Sequence, residues 1–408
     1  MPDSRASQTQ TWALVAAAAA ILAITFGTRS SLGLFVSPLN TATGLGIATI
    51  SFAMAVNHLM WGAWQPVFGA MADRYGPDRV ILLGGVLLAG MFALVPLATS
   101  APGLVLALGF GVAAGAAAGS MSTLLGAIGK YIPPERRGVA AGIVNAGGSI
   151  GQLAIAPVAA ALIGAAGWAN AMLALAAISL ATLPLAWPLR RRHHAPAAAA
   201  AAAPAQPSMR TALREAAGDR SYWYLNIGFF VCGFHIAFLI THMPGVIEFC
   251  GLPPALAGTS LAVIGLFNIV GSVGAGFVIQ RLRMKITLSW LYASRGIGVA
   301  LFLVAPKTEL VVLAFSVWMG LTYLATVPPT AGLVGKLFGT RYLATLFGIT
   351  LLSHQVGGFL GAWLGGLAFV ASGHYDWMWY ADIALAALAT AIHLPIREPV
   401  MKRLAPAA

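Results

Sequence analysis

The sequence predicts an all-α membrane protein of twelve spanning helices arranged as two pseudo-symmetric six-helix bundles. Three observations carry that prediction: a composition unsuited to water, apolar stretches of spanning length that recur along the chain, and a match between the two halves at a fixed offset. Of 408 residues, 59% are hydrophobic and 8% are charged, with a mean hydropathy of +0.85. A soluble domain carries about a quarter charged residues, so lipid is the solvent for most of this chain.

A span needs about 20 mostly apolar residues. Stretches of that kind are predicted near 12–38, 47–72, 79–99, 102–129, 137–164, 167–188, 222–247, 254–280, 286–306, 308–335, 342–371 and 376–395. The first is too long for the apolar region of a secretion signal, and eleven similar segments follow it, so no cleavage is expected. An Ala/Pro tract at 195–207 follows Arg190, Arg191 and Arg192 and reads as a linker that divides the spans six and six. The expected organisation is a cytoplasmic N-terminus at 1–11, bundles at 12–188 and 222–395, a cytoplasmic linker at 189–221 and a cytoplasmic tail at 396–408.

The net charge of +12 is explained by where the basic residues fall. Arg74, Arg79, Lys130, Arg136, Arg137, Arg190, Arg281, Arg283, Lys285, Lys336, Arg341, Arg397 and Lys402 lie in alternate loops or the tail, whereas the opposite loops carry almost none, Lys307 excepted. The positive-inside rule then places both termini in the cytoplasm and leaves no need for a nucleic-acid partner. Cys232 and Cys250 are too few for a disulfide framework, and no metal-ligand spacing, catalytic constellation or phosphate-cradling loop is found. No cofactor is expected, and energy must come from an ion or substrate gradient.

An offset of about 206 positions aligns the halves as a parallel repeat. Gly27-Thr28-Arg29 meets Gly233-Phe234-His235, Pro38 meets Pro244, Gly126 and Lys130 meet Gly332 and Lys336, and Gly151 meets Gly357. Such a repeat implies two bundles about a central axis, with a substrate site between them near the midplane.

The loop after the second span reads GAMADRYGPDR, in which Gly69, Asp73, Arg74, Gly76 and Arg79 match the G-x-x-x-D-[RK]-x-G-x-[RK]-[RK] signature, with Asp78 where a basic residue is usual. With this loop the chain resembles the major facilitator superfamily over essentially its whole length. The resemblance implies a gate in which Asp73, Arg74 and Arg79 hold the cytoplasmic side shut. The segments GTRSSLGLFVSP, PPERRGVAAGIVNAGGSIGQ and SHQVGGFLGAWLGG resemble the bacterial branch of monocarboxylate transporters and oxalate/formate exchangers, which implies a bacterial inner-membrane location. That branch clamps its carboxylate with an Arg on the eighth span, where this chain has Ser272; His354 stands where the oxalate exchanger has a Lys.

A charge at the bilayer centre costs roughly 2.5–3.5 kcal/mol on insertion scales, so each one needs a partner or a task. Arg29 lies deep in the first span and His235 at the same depth in the seventh, spans that the resemblance places around the cavity. A fixed cation facing a titratable base suits an anion. His58, Asn145, Asn268, Tyr323, His354 and Gln355 are further polar side chains at comparable depth. Arg295 and Asp382 lie on the ninth and twelfth spans, which the resemblance makes peripheral supports, so Arg295 is expected to pair structurally. The expected function is secondary active transport of a small organic monocarboxylate with a proton, by alternating access, in a monomer whose other partner is the lipid bilayer. Proton-driven export of drugs or amphipathic metabolites is the alternative, and catalysis is not expected.

Overall fold

A computed structural model describes residues 3–131, 134–190, 209–339 and 342–398; side chains at 3–11, 73, 126, 128–131, 134–139 and 344 also lie outside the description. Among the described residues the regular elements are helices. Nine helical stretches are long and apolar enough to cross a membrane, and one of them, at 140–189, is two helices joined at Gly167. That glycine adopts φ 82°, a left-handed conformation that L side chains resist, and it turns the chain back on itself. Ile47–Tyr75 and Asp376–His393 are also long helices, in which Asn57 and His58, or Asp376 and Asp382, dilute the apolarity. Twelve spanning helices result among the described residues, and an even number brings the start of the first and the end of the last to one side, the terminal side.

Local chemistry sets the interruptions. The first span, Asp3–Ser30, passes through a tight 3-10 turn at Leu32–Phe35 into Val36–Thr43. The fourth winds as a π-helix over Val105–Val112, a wide turn that tilts carbonyls off the helical ladder. The tenth stops at Thr322 and restarts at Val327, because Pro328 and Pro329 supply no N–H to the turn before them.

Packing repeats between the halves as the offset predicts. Gly151 of the fifth span lies against the Ala23 backbone of the first, and its mate Gly357 of the eleventh lies against the Phe230 backbone of the seventh. A methyl at either glycine would collide with a carbonyl oxygen, so these pairs pack backbone on backbone through small residues.

Between the bundles, the second span packs on the eleventh and the eighth on the fifth. Gly366 abuts Ser51 and Gly62 abuts Gln355 in one seam; in the other, Gly258 faces Ala160 and Gly265 faces Ser149. Phe52 stacks edge-on with Trp363, centroids 5.5 Å apart, and Gly33 meets the Ile240 carbonyl. The Gly366–Ser51, Gly258–Ala160, Phe52–Trp363 and Gly33–Ile240 contacts fall toward the helix ends away from the termini, and Gly62–Gln355 and Gly265–Ser149 lie midway along their helices. Toward the terminal side the seams part: a Cβ added at Gly69, Gly142, Gly276 or Gly348, each on the same helix face as a seam residue, would meet nothing within 4 Å. The bundles meet on the far side where Gly33 touches the Ile240 carbonyl, with an outer cavity of about 710 Å³ between Ser37, Pro157, Pro244 and Glu248, and their seams loosen toward the terminal side.

Candidate functional site

Between the bundles lies a cavity of about 290 Å³ whose wall includes Arg29, His58, Asn145, Tyr323, His354 and Gln355. The first span lines it with Leu22, Phe26 and Arg29, a stripe at helical spacing. The seventh lines it with Phe229, Gly233, Ile236 and Ile240, a stripe one residue out of register with the mates of the first.

Arg29 is buried, and the second span holds it from behind. Its Nη1 lies 3.5 Å from Asn57 Oδ1 and 3.4 Å from His58 Nδ1. The guanidinium carbon sits 4.3 Å from the centroid of the Trp61 ring, a cation–π contact. Asn57 is oriented by the π-helical turn: its Nδ2 donates to the Leu108 carbonyl within that turn at 2.7 Å, which leaves Oδ1 facing the guanidinium. His58 can accept from Arg29 only on an unprotonated Nδ1, which puts its proton on Nε2. Arg29 Nε has no hydrogen-bond partner, and no carboxylate of the described residues pairs with the group.

Across the cavity, Tyr323 stands at the break of the tenth span with an unpartnered hydroxyl. Two clamps shape that break. From behind, Arg295 of the ninth span donates through Nη2 to the Thr322 and Tyr323 carbonyls, the latter at 3.1 Å, and through Nη1 to Cys232 Sγ at 3.6 Å. On the other flank, Asn268 Oδ1 accepts the Leu324 N–H at 3.0 Å, while its Nδ2 donates to Ser149 Oγ in the other bundle at 2.8 Å. His354 completes the wall, its ring 4.8 Å from that of Phe229 and both its nitrogens unpartnered.

Of the residues singled out in the sequence, Arg29, His58, Asn145, Tyr323, His354 and Gln355 come together at the cavity. Asn268 does not line it and instead fixes the wall behind Tyr323. His235 is a correction to the expected placement: two residues beyond Gly233 on a helix is a rotation of about 200°, so its ring turns away from the cavity. It meets Asp382 of the twelfth span instead, Nε2 to Oδ1 at 3.5 Å. Arg295 is paired structurally, with two backbone carbonyls and a thiol. Arg74 and Arg79 are exposed, Arg74 lying 5.3 Å from the Tyr75 ring centroid, and the Asp73 side chain lies outside the described residues. Sequence reasoning passed over Asn57, whose signal was a second polar residue beside His58 in an apolar span. Among the described residues no His, Cys, Asp and Glu cluster could hold a metal.

A family model described as Major Facilitator Superfamily matches residues 18–362. The chain belongs to the major facilitator superfamily. Its relatives are transporters, not enzymes. This superfamily member is 27% identical to monocarboxylate transporter 13 of Rattus norvegicus over 89% of this chain and 83% of that protein. It is 21% identical to the oxalate:formate antiporter of Oxalobacter formigenes over 90% of this chain and 86% of that one. The solved structure of a D-xylose-proton symporter shares the fold, with a TM-score of 0.73, 16% identity and coverage of 94% of this chain and 97% of that one.

Proposed function

We propose that this superfamily member moves a small organic monocarboxylate together with a proton by alternating access across a bacterial inner membrane. The observation that carries the reading is Arg29: a buried guanidinium on a cavity wall, held by neutral groups and aromatic faces, with an N–H still to donate. A buried cation without a carboxylate partner is completed by an anionic ligand, and the guanidinium fork matches a carboxylate. The Tyr323 hydroxyl on the facing wall supplies a second donor. Membership of the superfamily and relatives named for monocarboxylates and for oxalate and formate support the same class. The basic residues of the terminal-side loops support a cytoplasmic placement of that side. The gate roles of Asp73, Arg74 and Arg79 belong to the cytoplasm-closed state that alternates with this one.

Aromatic walls at Phe26, Trp61, Phe229 and Phe347 favour a second reading, export of amphipathic metabolites. One assay separates the two. Labelled lactate and pyruvate are offered to proteoliposomes under an inward proton gradient, with the wild type beside Arg29→Gln. Accumulation that collapses with an uncoupler and in the variant is expected; no gradient-driven uptake of either acid would refute their symport and return the question to an amphipathic panel.

A further inference from the structure

His235 and Asp382 form a second polar centre that the cavity does not use. Both are buried, at 1% and 2% exposure, and among the described residues the only other buried charged side chain in the spans of the C-terminal half is Arg295, at 0%. His235 Nδ1 and Nε2 and Asp382 Oδ1 have no hydrogen-bond partner, so Nε2 and Oδ1 face each other at 3.5 Å without a hydrogen bond, and either group is left to take up a proton. A structural ion pair would be saturated with hydrogen bonds, since each unmet polar group at this depth is costly. From the neighbouring elements, Arg295 of the ninth span acts on both members of the pair; Cys232 on the same helix as His235 and Tyr323 of the tenth span face Arg295 in turn. Tyr292 of the ninth span gives its hydroxyl to the Gly228 carbonyl, and His354 of the eleventh faces the cavity.

We propose that the His235–Asp382 pair is the proton-binding site of this transporter, separate from the anion cavity and one helix width behind it, and that Arg295 links the two. The proposal rests on the monocarboxylate–proton reading above and names the site of its proton. No covalent bond is made or broken beyond the uptake of one proton by imidazole or carboxylate. Charge supplies the coupling. The buried charged groups described inside the spans are Arg29, Arg295 and Asp382, net +1 when the carboxylate is ionised. A proton without an anion makes the interior more positive, an anion alone neutralises it, and loading both restores the starting charge, so each ligand favours the other. Arg295 gives the route: it makes no ion pair with Asp382, but its charge bears on both members of the pair, and it grips the Thr322 and Tyr323 carbonyls at the break that carries the cavity tyrosine.

The pair is tested in the full chain, reconstituted with aspartate carbon-13 labelled at its carboxyl. Asp382 is the one aspartate within a span, the others standing at 3, 73, 78, 219 and 376, in loops or at helix ends. Infrared difference spectra are expected to show a labelled protonated carboxyl appearing as pH falls from about 8 to about 5, absent in Asp382→Asn and displaced in His235→Gln. With labelled pyruvate as the probe, Asp382→Asn is expected to lose gradient-driven accumulation at least about tenfold more than it loses counterflow exchange. No titrating aspartate band in that window overturns the proposal, and so does equal loss, or equal retention, of accumulation and counterflow in Asp382→Asn. If that variant does not fold, the wild-type band and its displacement in His235→Gln decide the matter. A wild type that shows the band but neither accumulates nor exchanges pyruvate supports the proton site while refuting transport of that acid.

Discussion

If far-side closure is one of two alternating arrangements, Gly258→Ala should weaken it selectively. Gly258 of the eighth span faces the fifth, and an added Cβ would lie 2.6 Å from Ala160 Cβ and 3.2 Å from the Ala156 carbonyl oxygen and from Pro157 Cα. Ordinary contact begins near 3.4 Å, so the bundles must move apart by several tenths of an ångström or the helix must shift. Overpacking of this kind costs about 1–3 kcal/mol. The gain of replacing a helical glycine by alanine is common to both arrangements and drops out of their ratio. What remains is a roughly 5- to 150-fold shift away from the far-closed state. The control lies on the same helix: a Cβ at Gly274 meets nothing within 4 Å. The reporter is a cysteine at Ile236, in the cavity wall, in a chain with Cys250→Ser; the buried Cys232 stays silent. An impermeant maleimide added from the far side should label Gly258→Ala at least about fivefold faster than the parent, with Gly274→Ala unaccelerated. Equal rates in the two glycine variants would refute the argument that these seams open and close as units.

Arg29→Lys keeps the charge but loses the fork and the flat contact with Trp61, so anion affinity, measured as the half-saturating concentration for uptake, should fall about 10- to 100-fold. Tyr323→Phe removes an unpartnered hydroxyl and should leave thermal stability in detergent unchanged while weakening anion binding by about 0.5–1.5 kcal/mol in a competition assay. Glu398, on the terminal side, accepts from Lys336 Nζ at 2.7 Å and from the Met284 and Lys285 N–H groups at 3.2 and 3.1 Å. Burial alone would raise its pKa, but Lys336 and the two N–H donors outweigh that and hold it below the ordinary 4.5. A depressed carboxylate adds stability above its unfolded value and loses it as pH falls through the folded one. Glu398→Gln should therefore melt lower than the parent near neutral pH, and the gap should close in acid, below the ordinary carboxylate range.

Much of the fold is legible in the sequence because lipid leaves few choices. Any stretch of about 20 apolar residues must satisfy its backbone internally, so twelve such stretches become twelve helices. The repeat is legible for a related reason: backbone-on-backbone packing admits only glycine, so Gly151 and Gly357 mark equivalent seams. The depth of a polar residue can be counted along its span, which is how Arg29, His58, Tyr323 and His354 stand out.

The direction a side chain faces is harder to read. His235 and Arg29 are repeat mates at one depth, yet the seventh helix presents the stripe of Phe229, Gly233 and Ile236 to the cavity and turns His235 toward Asp382. A one-residue change of register is about 100° of helix rotation, and apolar residues on every side of a lipid-embedded helix leave little periodicity to reveal it. Asn57 was hidden similarly, because its role depends on a carbonyl in a π-helical turn some fifty residues away in sequence. Composition, span count, repeat and the depth of each polar group are thus properties of the sequence by itself, set by local hydropathy and backbone hydrogen bonding. Which polar groups meet, which seams between the bundles are tight, and the separation of Arg29 on the cavity wall from a buried pair at His235 and Asp382 are decided by helix rotation and bundle packing, which depend on contacts between residues far apart in the chain.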